Sequence, residues 1–235
     1  MSLGIVPEFL LPSPGAVFRA LVGDGPLLFS HSIISVQEAL LGLLLGSLLG
    51  VALAMTMEYL PLVRKMFYPL MIVSQTIPTV AVAPLLVLWF GYGIEAKVVL
   101  IILMTFFPIA MGILDGFDSV DDDQIRLLKT MGAGPGQILW YVKLPQVVPH
   151  FFAGLKISAA YAIVGAVIAE WLGGSGGLGV YMTRVRKSFA FDRMFAVLFV
   201  ISALSLLLLK GVDLLHRMAT PWRRDETRPK GPTSL

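Results

Sequence analysis

Five long apolar runs dominate the pattern of hydrophobic and polar positions along this chain. An α-helix needs about 20 mostly apolar residues to cross the hydrocarbon core of a bilayer, and each run approaches that length. Isolated strands would leave backbone groups unpaired in lipid, so every run is predicted to be a helix. The runs cover roughly Val36–Met57, Met66–Phe90, Ala96–Leu114, Ala153–Leu172 and Met194–Leu215. Residues 1–235 are therefore predicted to form one all-α integral membrane domain with five transmembrane helices.

Small residues recur in the first of these runs. Gly42, Gly46 and Gly50 are spaced by four residues, which places them on one face of a helix. Small side chains let the backbones of two membrane helices approach each other closely. We interpret this face as ordinary helix packing and expect another span to lie against it.

The composition agrees with a bilayer environment. The chain is 57% hydrophobic and 14% charged, whereas soluble domains carry about 25% charged residues. Its net charge is +3 and the basic residues are dispersed, so no nucleic-acid surface is predicted. The chain has no cysteine, which excludes disulfides and thiolate chemistry. The scattered histidines, His31, His150 and His216, have no carboxylate at ligand spacing, so we expect no metal site.

The lysines and arginines of the loops predict the orientation. With five spans, twelve of the 18 basic residues fall on one side and six on the other. Cytoplasmic loops carry the excess of positive charge, so the first side is assigned to the cytoplasm. Residues 1–34 are then extracytoplasmic, while a connection at 115–152 and a tail at 216–235 are cytoplasmic. One segment departs from the rule, because "TRVRKSFAFDR" carries four of the six external basic residues.

The cytoplasmic connection contains two short predicted helices. In "SVDDDQIRLLKTMG", Ser119 or Asp121 can cap a helix whose first turn is acidic and which Gly132 ends. After the turn "GAGPG", the stretch "QILWYVKLP" predicts a second helix that Pro145 ends. Such a pair forms a rigid projection, and an amphipathic hairpin resting on lipid headgroups is the alternative interpretation.

The spacing in this connection resembles the signature loop of ABC-importer permeases. The family pattern is Glu-Ala-Ala, three residues, Gly, nine residues, then Ile-x-Leu-Pro. The matching positions are Gly132, Val142, Leu144 and Pro145, and Ala133 follows the glycine as is common in the family. The chain departs from the pattern at its start, where Arg126, Leu127 and Leu128 occupy the Glu-Ala-Ala positions.

Other segments extend the resemblance over roughly residues 11–222. The stretch "IPTVAVAPLLVLWFGYG" is similar to the Pro-rich span of permeases for nitrate, sulfonates and taurine. The stretches "LLKTMGA" and "GAVIAEWLGG" look most like the branch that imports pyrimidine precursors of thiamine. The family usually has six spans, the first of which precedes a segment seen here as "LPSP" at Leu11–Pro14. The resemblance therefore implies that the first family helix is missing, either because the sequence is truncated at its start or because this member has five spans.

The resemblance also implies partners and a location. Such permeases lie in the bacterial inner membrane, pair as dimers, bind two cytoplasmic ATPase subunits and receive solute from an extracytoplasmic binding protein. This chain lacks a phosphate-cradling Gly-x-x-x-x-Gly-Lys-Ser/Thr loop, so we expect ATP and Mg²⁺ on the partner and no cofactor or enzymatic activity here. The ATPase would push on the cytoplasmic connection, with Leu127, Leu128 and Met131 offering an apolar face to its groove.

The translocation pathway is expected where polar residues and prolines interrupt the spans. In the second run, Gln75 and Thr79 are predicted to share a helical face beside Pro78, while Leu86 is expected to face lipid. A packing kink with satisfied polar groups is the alternative. Further pathway candidates in the fourth run are Ser158, Tyr161 and Glu170.

Glu170 is predicted to lie near the outer end of the fourth span. A charge at the bilayer centre costs at least about 2.5–3.5 kcal/mol, and a position near the end softens that cost. Two interpretations stay open. The residue either gates or contacts the solute or the binding protein, or it forms an ion pair with Arg184 or Arg186.

Two other classes of function were weighed against the importer permease. A stand-alone secondary transporter would need coupling-ion sites and usually internal repeats, and the sequence shows no repeated hydropathy unit. A membrane enzyme would need clustered acidic or histidine side chains, for which Asp121–Asp123 are the candidates. Those three aspartates fit a helix N-terminus better.

Overall fold

The computed structural model describes residues 12–221, which are helical almost throughout and contain no strand. Residues 1–11 and 222–235, including Leu11 of the "LPSP" segment and most of the predicted tail, lie outside this description. The helices are α1 (Pro14–Gly23), α2 (Gly25–Tyr59), α3 (Pro61–Thr76), α4 (Thr79–Phe90), α5 (Ile94–Asp118), α6 (Asp122–Thr130), α7 (Pro135–Ile138), α8 (Leu144–Trp171), α9 (Leu178–Lys187) and α10 (Phe191–Ala219). A five-residue π turn, Leu139–Lys143, joins α7 to α8.

The predicted spans correspond to four long apolar helices and one bent pair. Helices α2, α5 and α10 are each long enough to cross a bilayer, as is the continuous helical stretch from α7 through α8. The all-α membrane fold is therefore confirmed. The spans are longer than their apolar runs, since α2 begins eleven residues before the predicted Val36.

The second span is not the single helix that its hydropathy predicts. Helices α3 and α4 meet at an angle of 98°. Ile77 is extended (φ −81°, ψ 121°), the conformation that a following proline favours, and Pro78 has no N–H to continue the helix. The break separates Gln75 from Thr79, so the prediction that they share one helical face is wrong.

Helices α2, α5 and α8 form the packed centre of the molecule, and the glycine face of α2 lies within it. A side chain at Gly42 would collide with Ile101, and one at Gly46 would collide with Thr105. A Cβ atom at Gly50 would come within 2.7 Å of the Phe106 carbonyl oxygen. The predicted close approach of another span to this face is confirmed, and that span is α5.

Most of the predicted connection, residues 115–152, is helical. Helix α5 continues to Asp118, and α8 begins at Leu144. Between these two helices lie α6, a turn, α7 and the π turn, and we call residues 122–138 the α6–α7 segment. It leads through the π turn directly into the core helix α8, so the two form one continuous path.

Candidate functional site

The first half of the α6–α7 segment forms as its sequence predicts. Asp121 caps α6, with its carboxylate accepting the N–H of Asp123 at 2.9 Å. Asp122 and Asp123 occupy the first turn and Lys129 the last, which matches the helix dipole. Gly132 has φ +84°, a backbone conformation that residues other than glycine rarely adopt, and the chain turns there.

An exposed apolar surface covers the end of α6 and the turn after it. Leu127 is 62% exposed and Met131 is 75% exposed. Leu128 and Ala133 are half-buried beside them, while Arg126 is exposed and lies 3.6 Å from Asp123. The predicted docking residues in α6 and the turn after it therefore lie together on one projection. Its two largest apolar side chains are exposed among the residues that the structure describes.

The structure after the α6–α7 segment corrects the prediction that Pro145 ends a helix. Val142, Leu144 and Pro145 are half-buried and belong to one continuous helical path into α8. The N–H of Leu144 donates to the carbonyl of Leu139, five residues earlier, as in a π turn. This wider turn makes room for the proline ring, so the missing N–H of Pro145 falls in the first turn of α8, where it is tolerated.

Two ion pairs lie on either side of the α6–α7 segment in the sequence and join the neighbouring elements. The Nζ of Lys143, in the π turn, donates to the carboxylate of Glu58 near the end of α2. Arg64 on α3 forms a two-pronged contact with Asp118, at 3.0 and 2.6 Å, at the end of α5. The π turn that follows the α6–α7 segment is thereby joined to the end of α2, and α3 is joined to the end of α5.

The predicted pathway residues fall into two unconnected groups. Around the break between α3 and α4, Gln75 and Pro78 are exposed and Thr79 is half-buried. Leu86, expected to face lipid, is buried in a cluster with residues of α5 and α8, so that prediction is wrong. The break that brings polar groups to the surface also turns this side of α4 onto α5.

The fourth-span candidates also separate from one another. Ser158 is completely buried and donates to the carbonyl of Thr105 on α5 at 2.7 Å, which is a helix-packing contact. Tyr161, three residues later, is nearly half exposed on another face of α8. Glu170 lies at the far end of α8, one residue before the last residue of the helix, Trp171. The structure therefore does not bring these residues together in one path.

Glu170 is held by groups that its sequence neighbourhood does not suggest. Its side chain is 1% exposed, and it lies near the end of its span as predicted. Its Oε1 accepts the hydroxyl of Ser35 at 2.6 Å, and its Oε2 accepts the N–H of Gly179 at 2.6 Å. The expected ion pair with Arg184 or Arg186 is wrong, since the carboxylate points inward to α2 and the start of α9.

The start of α9 is capped entirely by side chains from other helices. The N–H of Gly177 donates to Nδ1 of His31 at 2.9 Å, and that of Leu178 donates to Oγ of Ser35 at 2.8 Å. With Glu170 accepting from residue 179, three successive donors are satisfied. We call His31, Ser35 and Glu170 the α9 cap. Side chains at positions 177 and 179 would collide with Glu170, which explains the Gly-Leu-Gly sequence there.

A buried ion pair adjoins the α9 cap. Lys97 on α5 donates to Oε1 of Glu38 on α2 at 2.6 Å, and both side chains are more than 90% buried. The sequence pattern does not predict this pair, because each residue lies where an apolar run begins. One signal was available: His31, Ser35 and Glu38 are spaced by four and three residues and therefore share one face of α2. The connection to Lys97 and Glu170 depends on tertiary packing.

Comparison with known proteins identifies the family. Residues 26–225 match the model of the binding-protein-dependent transport system inner membrane component family, and the chain belongs to that family. A probable ABC transporter permease protein of Haemophilus influenzae is 39% identical over 92% of this chain and 89% of its own length. The formylaminopyrimidine transport permease protein of Halalkalibacterium halodurans is 37% identical, over 93% and 88%. The taurine transport system permease protein of Escherichia coli is 33% identical, over 93% and 82%.

Solved structures show the same fold at lower identity. An amino acid ABC transporter crystallised with histidines has a TM-score of 0.69 and 18% identity, over 87% of this chain and 98% of that one. A methionine ABC transporter in inward-facing conformations has a TM-score of 0.63 and 19% identity, over 88% and 98%. The chain is thus a multi-pass inner-membrane permease of an ABC importer, a class that works with ATPase and binding-protein partners.

Proposed function

We propose that this permease passes a pyrimidine precursor of thiamine, delivered by an extracytoplasmic binding protein, across the inner membrane. A sulfonate, taurine or a nitrate-like anion is the second candidate. The first is supported by the 37% identity to a permease named for formylaminopyrimidine and by the "LLKTMGA" and "GAVIAEWLGG" stretches. The 33% identity to a taurine permease supports the second. Family membership leaves nothing in favour of a stand-alone secondary transporter.

The observation that carries the mechanism is the exposed apolar projection of the α6–α7 segment. Leu127 and Met131 are large hydrophobic side chains on a charged surface, and a groove on a cytoplasmic ATPase would bury them. In this proposal two copies of the chain pair in the membrane and each docks one ATPase subunit. ATP and Mg²⁺ bind on those subunits, and this chain needs no cofactor of its own.

Force then follows the covalent path of the chain. The ATPase displaces the α6–α7 segment, and the π turn transmits the displacement into α8, which lies in the packed core. The broken span formed by α3 and α4 presents Gln75 and Thr79 toward the route of the solute. An exposed amide and a half-buried hydroxyl, rather than an apolar wall, suit a small polar organic solute.

Uptake into proteoliposomes tests the proposed solute. The vesicles would contain this chain, its ATPase and its binding protein, and would be supplied with labelled formylaminopyrimidine or labelled taurine. We expect formylaminopyrimidine uptake that needs both ATP and the binding protein, and no taurine uptake. Vesicles without ATP serve as the control. Uptake of taurine alone would contradict the assigned solute, and uptake driven by a proton gradient without ATP would contradict the importer mechanism.

A further inference from the structure

Helix α8 connects the two ends of the molecule. The continuous helical stretch from Pro135 to Trp171 has 37 residues, which corresponds to about 55 Å at 1.5 Å per residue. It begins in the α6–α7 segment, which the proposed function assigns to ATPase docking. It ends one residue after Glu170, which belongs to the α9 cap. A displacement of α8 as a rigid element would therefore move the α9 cap at its other end.

The α9 cap is built so that separation of its helices would leave buried groups without partners. Ser35 has no exposed surface, and its hydroxyl both donates to Glu170 and accepts from Leu178. It therefore contacts α8 and α9 at once from its position on α2. The carboxylate of Glu170 likewise bridges Ser35 and the N–H of Gly179. Because unpaired polar groups are costly when buried, these contacts favour a closed arrangement.

The neighbouring ion pair adds α5 to the same assembly. Lys97 pairs with Glu38. Gly174 lies close to the lysine, since a Cβ atom at this position would be 3.1 Å from Nζ. The glycine loop before α9 is therefore packed on the ammonium group. Helices α2, α5, α8 and α9 all contribute polar groups to one buried region.

We propose that Glu170 and Ser35 are positioning residues for transport, because they hold α2, α8 and α9 together as one rigid body throughout the cycle. ATP-driven displacement of the α6–α7 segment is then delivered through α8 to α9 and the loop before it. This inference rests on the proposed function, since it assumes that the ATPase acts on the α6–α7 segment. It predicts that weakening the cap uncouples ATP hydrolysis from transport.

Two buried serines of α2 provide a matched test. Ser35→Ala removes both cap contacts of that residue, whereas Ser32→Ala removes only a bond from Oγ to the carbonyl of Leu28 in the same helix. In proteoliposomes, solute transported per ATP hydrolysed should fall by roughly tenfold or more for Ser35→Ala and Glu170→Gln, the factor expected when a buried polar group loses its hydrogen-bond partner. Ser32→Ala should match the unmodified chain.

Three results of this measurement would count against the proposal. Transport per ATP could remain unchanged in Ser35→Ala and Glu170→Gln, which would show that the cap is not needed for coupling. Transport and hydrolysis could fall in proportion, which would indicate general structural damage. Ser32→Ala could lose coupling equally, which would remove the specificity of the cap. If the unmodified complex itself transports no solute, the proposed function fails independently of these variants.

A second measurement keeps the cap intact and does not depend on variants that fail to fold. Nitroxide labels are placed on the cysteine-free chain at two exposed positions, Leu44 on α2 and Arg186 on α9. Dilution with unlabelled chain isolates the distance within one copy. We expect that distance to stay constant between nucleotide-free and ATP-trapped complexes, while the distance between the Arg186 labels of two copies changes. A shift of several ångströms within one copy would overturn the rigid-body proposal.

Discussion

At the scale of single residues, the role of Gly132 follows from the local sequence, whereas the contacts of Glu170 depend on the tertiary fold. Gly132 could be predicted, because a capped helix with a late lysine must end and a glycine follows at the right place. Its observed φ of +84° agrees with that reasoning. The partners of Glu170 could not be predicted, since its bond to Ser35 spans 135 residues of chain and replaces the ion pair that proximity in sequence suggested.

Two glycines of the α6–α7 segment allow the turn to be tested by itself. Neither Gly132 nor Gly136 has a neighbour within 4 Å of an added Cβ atom, and of the two only Gly132 has a positive φ. Valine at position 132 should therefore strain the backbone by about 1–3 kcal/mol, whereas valine at position 136 should not. We expect Gly132→Val to weaken ATPase binding by at least tenfold in pull-down titrations and Gly136→Val to leave it nearly unchanged. Equal binding by both variants would contradict the docking role of this turn.

At the scale of elements, hydropathy predicts that a segment is apolar but not that it is straight. The run Met66–Phe90 has the length of one span, yet it forms two helices at 98° because an extended residue and a proline interrupt it. Pro145 shows the opposite outcome, since a π turn before it lets the helix continue. Helices also continue through Pro69, Pro84, Pro108 and Pro149, so the presence of a proline does not by itself predict a break.

The bent pair predicts where water and solute reach the protein. Cysteines at positions 75 and 79 should react with a small water-soluble thiol reagent, because the break exposes polar groups that need hydration or a solute. Leu207, in the middle of α10 and 63% exposed, serves as the lipid-facing control. Reaction at 75 and 79 should also change when ATP is trapped on the partner. Equal inertness at all three positions in every nucleotide state would show that this span only packs.

At the scale of the whole molecule, the positive charge of the segment "TRVRKSFAFDR" is partly accounted for by tertiary contacts. The Nε of Arg193 lies 3.2 Å from Oδ2 of Asp24, in the turn between α1 and α2. Tyr181 on α9 donates its hydroxyl to the same carboxylate. Asp24 thus brings negative charge from a distant part of the sequence, which a count of lysine and arginine alone does not include. The charge rule counts lysine and arginine rather than net charge, so this contact pairs Arg193 but leaves the departure from the rule in place.

The orientation itself can be tested at the two ends of the molecule. Lys129 on α6 and Arg186 on α9 are both exposed, and the charge rule predicts that the first lies in the cytoplasm and the second outside. Each is replaced singly by cysteine in the cysteine-free chain, and intact spheroplasts are treated with a membrane-impermeant thiol reagent. We expect labelling at position 186 and none at position 129 until the membrane is opened with detergent, after which both should react. Labelling of position 129 alone in intact spheroplasts would show that the orientation is the opposite of the predicted one. The α6–α7 segment would then lie outside, where no cytoplasmic ATPase can reach it.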